Sequence, residues 1–435
     1  MGRFCGRNAL AANENRDTGL GASKAYKWAL VALLSCAFFF HQADRALFGL
    51  LTIPIQKDIG LSDVQVGWIN TTLSWTLAAM TVVAGFMGDR FSRKWIITLS
   101  LVAWSLTTVC MGFVGGFAGA LFFRSIATGV GESFYAPSAY ALIAVHHDET
   151  RSTALSIHQA ALYFGLMVSG LAVAAALGWF GSWRGVFIAF GAAGCALGVL
   201  FAWALRDGGA VGRGKAQPSR ASRPPLLSDG LRAYFCNPSA LCATAGFVAI
   251  VFANNAYLFW APKFAAEKFA VGVGEAGKGV MLWHHLFAFA AILAGGVVTD
   301  RFVKRHPRFR LGFQAVSLLC GAPALLSIGM APSFATLLVA ASAYGVFRGF
   351  FEVNTHASLF DVVAPEHRST AVGLLNMIAF FFGGLSGVAM GALSQRWGVR
   401  GFEAGFAVMA AAYLAGAALM AFSFFFTFEK DRVAQ

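Results

Sequence analysis

Charged side chains are scarce in this sequence: Asp, Glu, Lys and Arg make up only 12% of its 435 residues. A soluble globular domain carries about 25%. Hydrophobic residues account for 58%, and 43 residues are Phe. These proportions exclude a disordered chain, a collagen, a secreted disulfide scaffold and a two-domain water-soluble enzyme. They fit a membrane protein of several helices, each with about 20 apolar residues.

Cysteine is also sparse, with seven residues, an odd number, and no Cys-x-x-Cys pair. Because most of them lie in or beside apolar runs, we interpret them as small buried hydrophobes. The pairs His146-His147 and His284-His285 lack the i, i+4 spacing of a helical metal site. We therefore expect no metal and no cofactor. The sequence also shows no Ser-His-Asp order and no phosphate loop, so we do not expect an enzyme.

The net charge of +13 could suggest a nucleic-acid partner. The basic residues fall in short loops between apolar runs and not on one soluble face, which argues against that partner. Cytoplasmic loops of membrane proteins are enriched in Lys and Arg. Most of the basic residues fall on the side that holds both termini, the central linker and the even-to-odd loops. We expect this side to be cytoplasmic.

The hydropathy pattern predicts an all-α membrane protein with 12 transmembrane helices in two pseudo-symmetric six-helix bundles. The first apolar run follows a polar start and is long enough to span, so we predict an uncleaved first helix. The predicted spans are 28–53, 67–88, 95–114, 117–145, 154–179, 183–205, 240–262, 280–298, 311–330, 333–361, 370–395 and 404–427. The predicted organisation is a cytoplasmic tail 1–27, a bundle 28–205, a basic linker 206–239, a bundle 240–427 and a cytoplasmic tail 428–435.

Two sequence signatures occur once in each half. Gly85-Phe-Met-Gly-Asp89-Arg90-Phe91 follows the second span, and Gly296-Val-Val-Thr-Asp300-Arg301-Phe302 follows the eighth. Glu149-Thr-Arg151-Ser-Thr-Ala154 precedes the fifth span, and Glu366-His-Arg368-Ser-Thr-Ala371 precedes the eleventh. Duplicated halves are typical of secondary transporters, whose substrate site lies at the midplane between them.

The first of these signatures resembles that of a known family. Gly85-x-x-x-Asp89-Arg90-x-x-Arg93-Lys94 is similar to the signature loop of the major facilitator superfamily, between helices 2 and 3. The resemblance covers about residues 25–430. It implies the superfamily fold and a loop that latches the two halves. The second-half loop departs from the pattern, because Val303-Lys304-Arg305 replaces its Gly-Arg-Lys ending. The gating residues that this resemblance implies are Gly85, Asp89, Arg90, Arg93, Asp300 and Arg301.

Charges within the first and fourth spans resemble those of two particular branches of the superfamily. Asp44-Arg45 in helix 1, and Arg124 with Gly129-Val-Gly-Glu132 in helix 4, are similar to spinster-like transporters. The same charges also occur in the anion:cation symporters, which move sugar acids with protons. The two branches imply different substrates.

Ionisable side chains in hydrocarbon are costly, so they are candidates for function by default. Arg124, Thr128, Glu132 and Tyr135 share one face of helix 4 by their spacing, and we expect that face to line the central cavity. We assign proton coupling to Glu132 and, as a second site, to Asp44. Arg45 suits an anionic group, because its guanidinium donates two parallel hydrogen bonds. An alternative is that Asp44–Arg124 or Arg45–Glu132 pairs only hold helices 1 and 4 together.

Helix 10 carries Arg348 and Glu352 at i, i+4, where they either line the cavity or simply satisfy each other. His158 in helix 5 and Asn254 in helix 7 are uncharged polar candidates, for which an interhelical hydrogen bond is the alternative. The predicted substrate-binding residues are Arg45, Arg124, Thr128, Tyr135, His158, Asn254, Arg348, Glu352 and Asn376.

These residues favour a proton-coupled secondary transporter of a small organic anion, such as a sugar acid, that works by alternating access. We expect a monomer, embedded in the lipid bilayer of a bacterial inner membrane, with both termini cytoplasmic. One alternative is a spinster-like exporter of an amphipathic lipid or drug. Another is a non-transporting sensor on a transporter scaffold.

Overall fold

The computed structural model describes residues 8–147, 150–206 and 227–433, with side chains from Ala25 onward except at 82, 85–86, 88–90, 151–152, 227 and 369. Twelve long helices, labelled α1–α12, correspond to the twelve predicted spans. In the first half they are α1 (Asn8–Leu50), α2 (Asp63–Arg90), α3 (Arg93–Met111), α4 (residues 117–146, in four segments), α5 (Arg151–Phe180) and α6 (Trp183–Ala204). In the second half they are α7 (Pro238–Phe269), α8 (Val273–Val303), α9 (Phe309–Met330), α10 (Phe334–Val362, broken after Glu352), α11 (Arg368–Trp397) and α12 (Val399–Asp431).

Within the described residues, ten of these helices are long and apolar enough to cross a membrane: six in the second half and four in the first, where α2 and α4 complete the group of six. A short helix, Thr52–Ile59, follows α1. Another, Leu227–Phe235, lies within the predicted linker, of which residues 207–226 are outside the described part.

Local sequence signals set several helix ends. The side chains of Ser62, Ser182 and Ser333 accept hydrogen bonds from the first turns of α2, α6 and α10, which satisfies backbone donors that lack a helical partner. Gly181 ends α5 with φ of 63°, a left-handed conformation that favours glycine. Because these caps end one helix and begin the next within a few residues, the turns between neighbouring spans are short.

The two halves meet through two equivalent crossings, α2 against α11 and α5 against α8. Glycines allow both. A Cβ on Gly67 would lie 2.5 Å from the carbonyl oxygen of Gly387, and a Cβ on Gly170 would lie 2.5 Å from that of Gly277. Small residues of this kind let membrane helices approach closely.

The buried core is continuous between the halves at one end of the bundle only. We call the end where α6 finishes and α7 begins the linker face, and the other end the far face. The larger apolar cluster joins Leu50, Ile55 and Val66 of the first half to Trp260 and Phe264 of the second, near the far face. A separate cluster near the linker face contains residues of the first half only, between α1, α3, α4, α5 and the end of α6. The halves are therefore packed together toward the far face.

Candidate functional site

The fourth helix is irregular where its buried charges lie. Its segment Leu121–Ala127 is π-helical, and the hydroxyl of Thr128 donates a hydrogen bond to the carbonyl of Phe123 at 2.7 Å. Single π-helical turns interrupt α-helices frequently at functional sites. Arg124 lies in this segment and is buried. The wider turn changes the direction of Arg124 relative to Glu132 from that of an even α-helix.

Arg124 meets the backbone and a carboxylate of α1. Its Nη1 lies 3.7 Å from Oδ2 of Asp44, and its Nη2 donates a hydrogen bond to the carbonyl of Arg45 at 2.9 Å. The hydroxyl of Thr108 on α3 donates to Oδ1 of Asp44 at 3.0 Å. Asp44 is therefore held between α3 and α4, deep inside the first half.

Glu132 forms a second and looser pair with α1. Its Oε2 lies 3.6 Å from Nε of Arg45 and 3.5 Å from Nε2 of His41. Within the described residues, neither carboxylate oxygen of Glu132 has a hydrogen-bond partner, although the side chain is 0% exposed. A buried charge whose hydrogen bonds are unmade is costly. A proton or water would relieve this cost.

The partner that sequence reasoning missed is His41. The amide nitrogen of Gln42 lies 2.9 Å from its Nδ1. Because an amide NH₂ can only donate, Nδ1 accepts, and the neutral ring carries its proton on Nε2, which faces Glu132. The available signal was its position one helical turn before Arg45, on the same side of α1.

Several members of the predicted helix 4 stripe make contacts within the first half. The hydroxyl of Tyr135 donates to the carbonyl of Leu34 at 2.5 Å and lies 3.2 Å from Nε2 of His158. The hydroxyl of Thr128 lies 2.7 Å from that of Thr107. All these candidates are buried within the first half. Spacing identifies which residues share a helix face, but it does not give the direction in which that face points.

Arg45 differs from the other first-half charges because its side chain is 22% exposed. It contacts Glu132 on one side and leaves part of its guanidinium accessible. Among the first-half residues predicted to bind substrate, it is therefore the best placed to receive a ligand.

The second half holds a separate polar cluster around Arg348. Its Nη2 lies 3.0 Å from Oε2 of Glu352, as the spacing predicted, and its Nη1 lies 3.3 Å from Nε2 of His284. The rings of Tyr257 and Tyr344 pack on His284 with centroids 4.4 and 4.7 Å away. Arg348 is buried, whereas the Glu352 side chain is 31% exposed. Asn254 on α7 and Asn376 on α11 are also half-buried.

The gating residues implied by the resemblance lie at the linker face. The backbone of Gly85, Asp89 and Arg90 forms the end of α2, but their side chains are outside the described part. Arg93 is half-buried, and Asp300 and Arg301 are exposed.

A charged contact that the sequence analysis did not predict closes the far face. Nζ of Lys263 on α7 donates to Asp63, the first residue of α2, and to Oε1 of Gln56 at 2.7 Å. Oδ2 of Asp63 also accepts a hydrogen bond from Ser394 of α11 at 2.6 Å. Asp63 and Lys263 each lie just outside a predicted span, so hydropathy alone treats them as loop residues.

Other hydrogen bonds between the halves continue toward the middle of the bundle. The hydroxyl of Thr71 donates to the carbonyl of Gly384 at 2.8 Å, and Trp75 donates to that of Phe381 at 3.0 Å. Between described residues, the side-chain hydrogen bonds and ion pair that join the halves lie from mid-bundle to the far face. The halves are thus closed at the far face.

Within the part of the chain that the structure describes, no three His, Cys, Asp or Glu side chains cluster as metal ligands. The ionisable groups near mid-bundle instead form cation–carboxylate pairs. This arrangement can exchange protons and bind ions.

A family model supports the relationship that this geometry suggests. The model for the Major Facilitator Superfamily matches residues 33–329. The chain belongs to this superfamily. Protein spinster of Drosophila melanogaster is 26% identical over 418 residues, covering 88% of this chain and 64% of the fly protein's length. A probable galactarate/D-glucarate transporter of Bacillus subtilis (strain 168) is 24% identical, covering 82% of this chain and 84% of that protein.

The superfamily fold is also evident from solved structures. A bacterial homologue of the human lysosomal transporter spinster, in an inward-facing and unoccupied conformation, superimposes with a TM-score of 0.82. The two share 21% identity, and the match covers 94% of this chain and 99% of that one. A D-xylose–proton symporter gives a TM-score of 0.76 at 12% identity, covering 94% and 100%. At these identities the likeness concerns the fold.

Proposed function

We propose that this superfamily member is a secondary active transporter that carries a small organic anion together with protons. The observation that carries the proposal is the Glu132–Arg45 pair, in which a wholly buried carboxylate without hydrogen-bond partners contacts a partly exposed guanidinium. The relatives include a probable galactarate/D-glucarate transporter and a D-galactonate transporter, both named for sugar acids. These names support an anionic substrate.

The pair offers a direct way to couple the two ligands. At 3.6 Å, two unit charges attract by on the order of 4 kcal/mol when the effective dielectric constant is near 20. While Glu132 is ionised, this attraction holds the guanidinium of Arg45 beside it. When a proton neutralises Glu132, the guanidinium becomes available to a substrate carboxylate. Proton and anion are then bound together, which is the requirement for symport.

Asp44 and Arg124 fit the same scheme as a second pair. Oδ2 of Asp44 has no hydrogen-bond partner among the described residues, and Nη1 of Arg124 lies 3.7 Å away. We propose Asp44 as the second protonation site. Arg124 holds it between the helices, and Thr128, Tyr135 and His158 support the arrangement through contacts inside the first half.

The second half supplies the other wall of the proposed substrate site. Glu352 is partly exposed beside Arg348, so it neutralises this cation when no anion is bound. A substrate oxygen that reached Arg348 would compete with Glu352. Asn254 and Asn376 are half-buried amides that suit the hydroxyl groups of a sugar acid.

Alternating access would rock one half against the other around this site. In the conformation described here the far face is closed, so the site would load from the linker face. The basic linker and loops support a cytoplasmic linker face in a bacterial inner membrane. Outward opening would require the Asp63–Lys263 contact to break.

Proteoliposomes that contain a trapped pH indicator test the proposal. We expect an inward gradient of a sugar acid to acidify the lumen, and a neutral sugar of the same size to leave its pH unchanged. A protonophore added to the same vesicles should abolish the acidification, because it dissipates the pH difference across the membrane. Sugar-acid uptake with no proton movement would contradict coupled transport.

A second candidate is export of an amphipathic lipid or drug. It is favoured by the similarity to spinster proteins in sequence and to a bacterial spinster homologue in structure. A thermal-shift screen of the purified protein against carboxylates, sugars and lysolipids separates the two, because a bound ligand raises the unfolding temperature. Stabilisation by lysolipids and not by sugar acids would favour the exporter.

A further inference from the structure

An apolar groove lies on the flank of the second half, between α9 and α12. It has a volume of about 850 Å³ and begins at the linker face. It lies away from the charge pairs of the first half. The larger apolar residues that line it are Phe313, Val316, Leu319, Leu414, Phe424 and Phe425.

Small residues and an irregular turn open this groove. Gly312 of α9 and Ala418 of α12 lie along it, and a Cβ on Gly312 would come within 3.0 Å of the Phe424 ring. The segment Ser423–Thr427 of α12 is π-helical, which changes the direction of the side chains that follow it. Phe425 is 66% exposed at the groove. The helices therefore leave an apolar channel that their own side chains do not fill.

The mouth of the groove is basic. Arg305, His306 and Arg308 line it, in the turn between α8 and α9. Glu429 is the one acidic residue that lines the described groove, and its Oε1 lies 2.7 Å from Nε of Arg308. Both members of this pair are more than one third exposed, so the pair is weak. No described carboxylate lies within ion-pair distance of Arg305.

The length of the groove matches one leaflet of a bilayer. Phe309, at the mouth, and Leu319, near the inner end, are ten residues apart on a helix, which corresponds to about 15 Å. Half of the hydrocarbon core of a bilayer is also about 15 Å thick. A ligand with its charge at Arg305 would therefore have its apolar part beside Leu319 at mid-bilayer depth.

We propose that this groove binds an anionic phospholipid of the leaflet at the linker face. One acyl chain lies between α9 and α12, and the phosphate accepts hydrogen bonds from Arg305 and Arg308. Binding draws Arg308 away from Glu429. Basic pockets between membrane helices recognise anionic head groups in this way. A zwitterionic lipid fits less well, because its cationic group lies close to the same arginines.

Titration of the purified full-length protein with phosphatidylglycerol and phosphatidylcholine of equal chain length, followed by native mass spectrometry, tests this site. The double variant Arg305→Gln/Arg308→Gln should bind phosphatidylglycerol roughly 25-fold more weakly, about fivefold for each charge. The matched control is Arg396→Gln/Arg400→Gln, two exposed arginines near the turn between α11 and α12 at the far face. It should bind as the wild type does.

Two further variants test the groove, and the result expected for the first is one that a loss of folding would not produce. Glu429→Gln should bind phosphatidylglycerol more tightly than the wild type, because the competing carboxylate is gone. Ala418→Phe should weaken binding of both lipids, because the ring fills the groove. Glycerol 3-phosphate alone should not compete with phosphatidylglycerol.

Three results would overturn the proposal. The first is equal affinity of the wild type for phosphatidylglycerol and phosphatidylcholine. The second is unchanged phosphatidylglycerol binding by the Arg305→Gln/Arg308→Gln variant. The third is full competition by glycerol 3-phosphate, which would indicate a site for free phosphate and not for lipid. None of these results depends on what the protein transports.

Discussion

Oε2 of Glu132 on α4 lies 3.6 Å from Nε of Arg45 on α1, near enough for charge attraction and too far for a hydrogen bond. The two side chains therefore form an ion pair without a hydrogen bond between these two atoms. One member is wholly buried and the other is partly accessible. This combination distinguishes it from the Arg310–Asp361 pair of the second half, in which Nη1 of the arginine lies 2.7 and 2.9 Å from the two carboxylate oxygens.

Arg45→Lys should weaken substrate binding and preserve folding. Lysine keeps the charge but lacks the planar fork that binds a carboxylate through two parallel bonds. We expect Km for the anion to rise about tenfold, the cost of one charge-assisted hydrogen bond. Transport kinetics in proteoliposomes measure this change. Arg184→Lys, which alters an ion pair with Asp58 at the far face, is the control and should leave Km unchanged.

Arg124→Ala should destabilise the first half. It leaves Asp44 buried without its cation, and loss of one partner of a buried pair costs about 3–5 kcal/mol. The unfolding temperature in detergent should fall by roughly 5 °C or more. The double variant Asp44→Asn/Arg124→Gln should recover part of this loss, because no buried charge remains. If the double variant is less stable than Arg124→Ala, the pair does not account for the stability.

His41→Phe should move the pH midpoint of proton-driven uptake upward. Nε2–H of His41 lies 3.5 Å from Oε2 of Glu132. Without this N–H group, the ionised carboxylate loses a favourable electrostatic contact. His158→Phe is the matched control, since His158 packs in the same aromatic cluster but bonds to Tyr135. A shift of equal size in both variants would indicate a packing effect and contradict a direct role for His41.

Lys263→Met should shift the protein toward a conformation open at the far face. Lys263 joins α7 to Asp63 of the first half, so its loss weakens the closure between halves. Spin labels at Lys57 and Glu275, both exposed at the far face, should report longer distances.

The control for this change is Lys268→Met. Lys268 pairs with Glu403 at 2.7 Å entirely within the second half. The distance distribution between the two spin labels in the Lys268→Met variant should match that of the wild type. An unchanged distribution in the Lys263→Met variant would mean that the Asp63–Lys263 contact does not hold the far face closed.

The arrangement of helices was accessible from the sequence because the bilayer leaves few choices. Each span needs about 20 apolar residues and must satisfy its own backbone, so hydropathy locates twelve helices. The two possible bridges between helices 1 and 4 were also identified, and both are present. The repeated motifs indicated two similar halves.

The orientation of side chains was less predictable. The π-helical turn around Arg124 breaks the even periodicity on which a helix-face argument rests. Tyr135 and His158 were expected in the cavity, yet they bond within the first half. No role was predicted for His41, because its contact with Glu132 joins residues that are distant in sequence. Asp63 and Lys263 are paired only because the two halves close at the far face.

Glu132→Gln in proteoliposomes tests the central claim most directly, by comparing counterflow exchange with accumulation driven by a pH gradient. Glutamine keeps the size of the side chain but cannot gain or lose a proton. We predict that exchange of the anion persists while pH-driven accumulation is lost, and that the control Glu403→Gln retains both. Accumulation at the wild-type level by the Glu132→Gln variant would contradict the account.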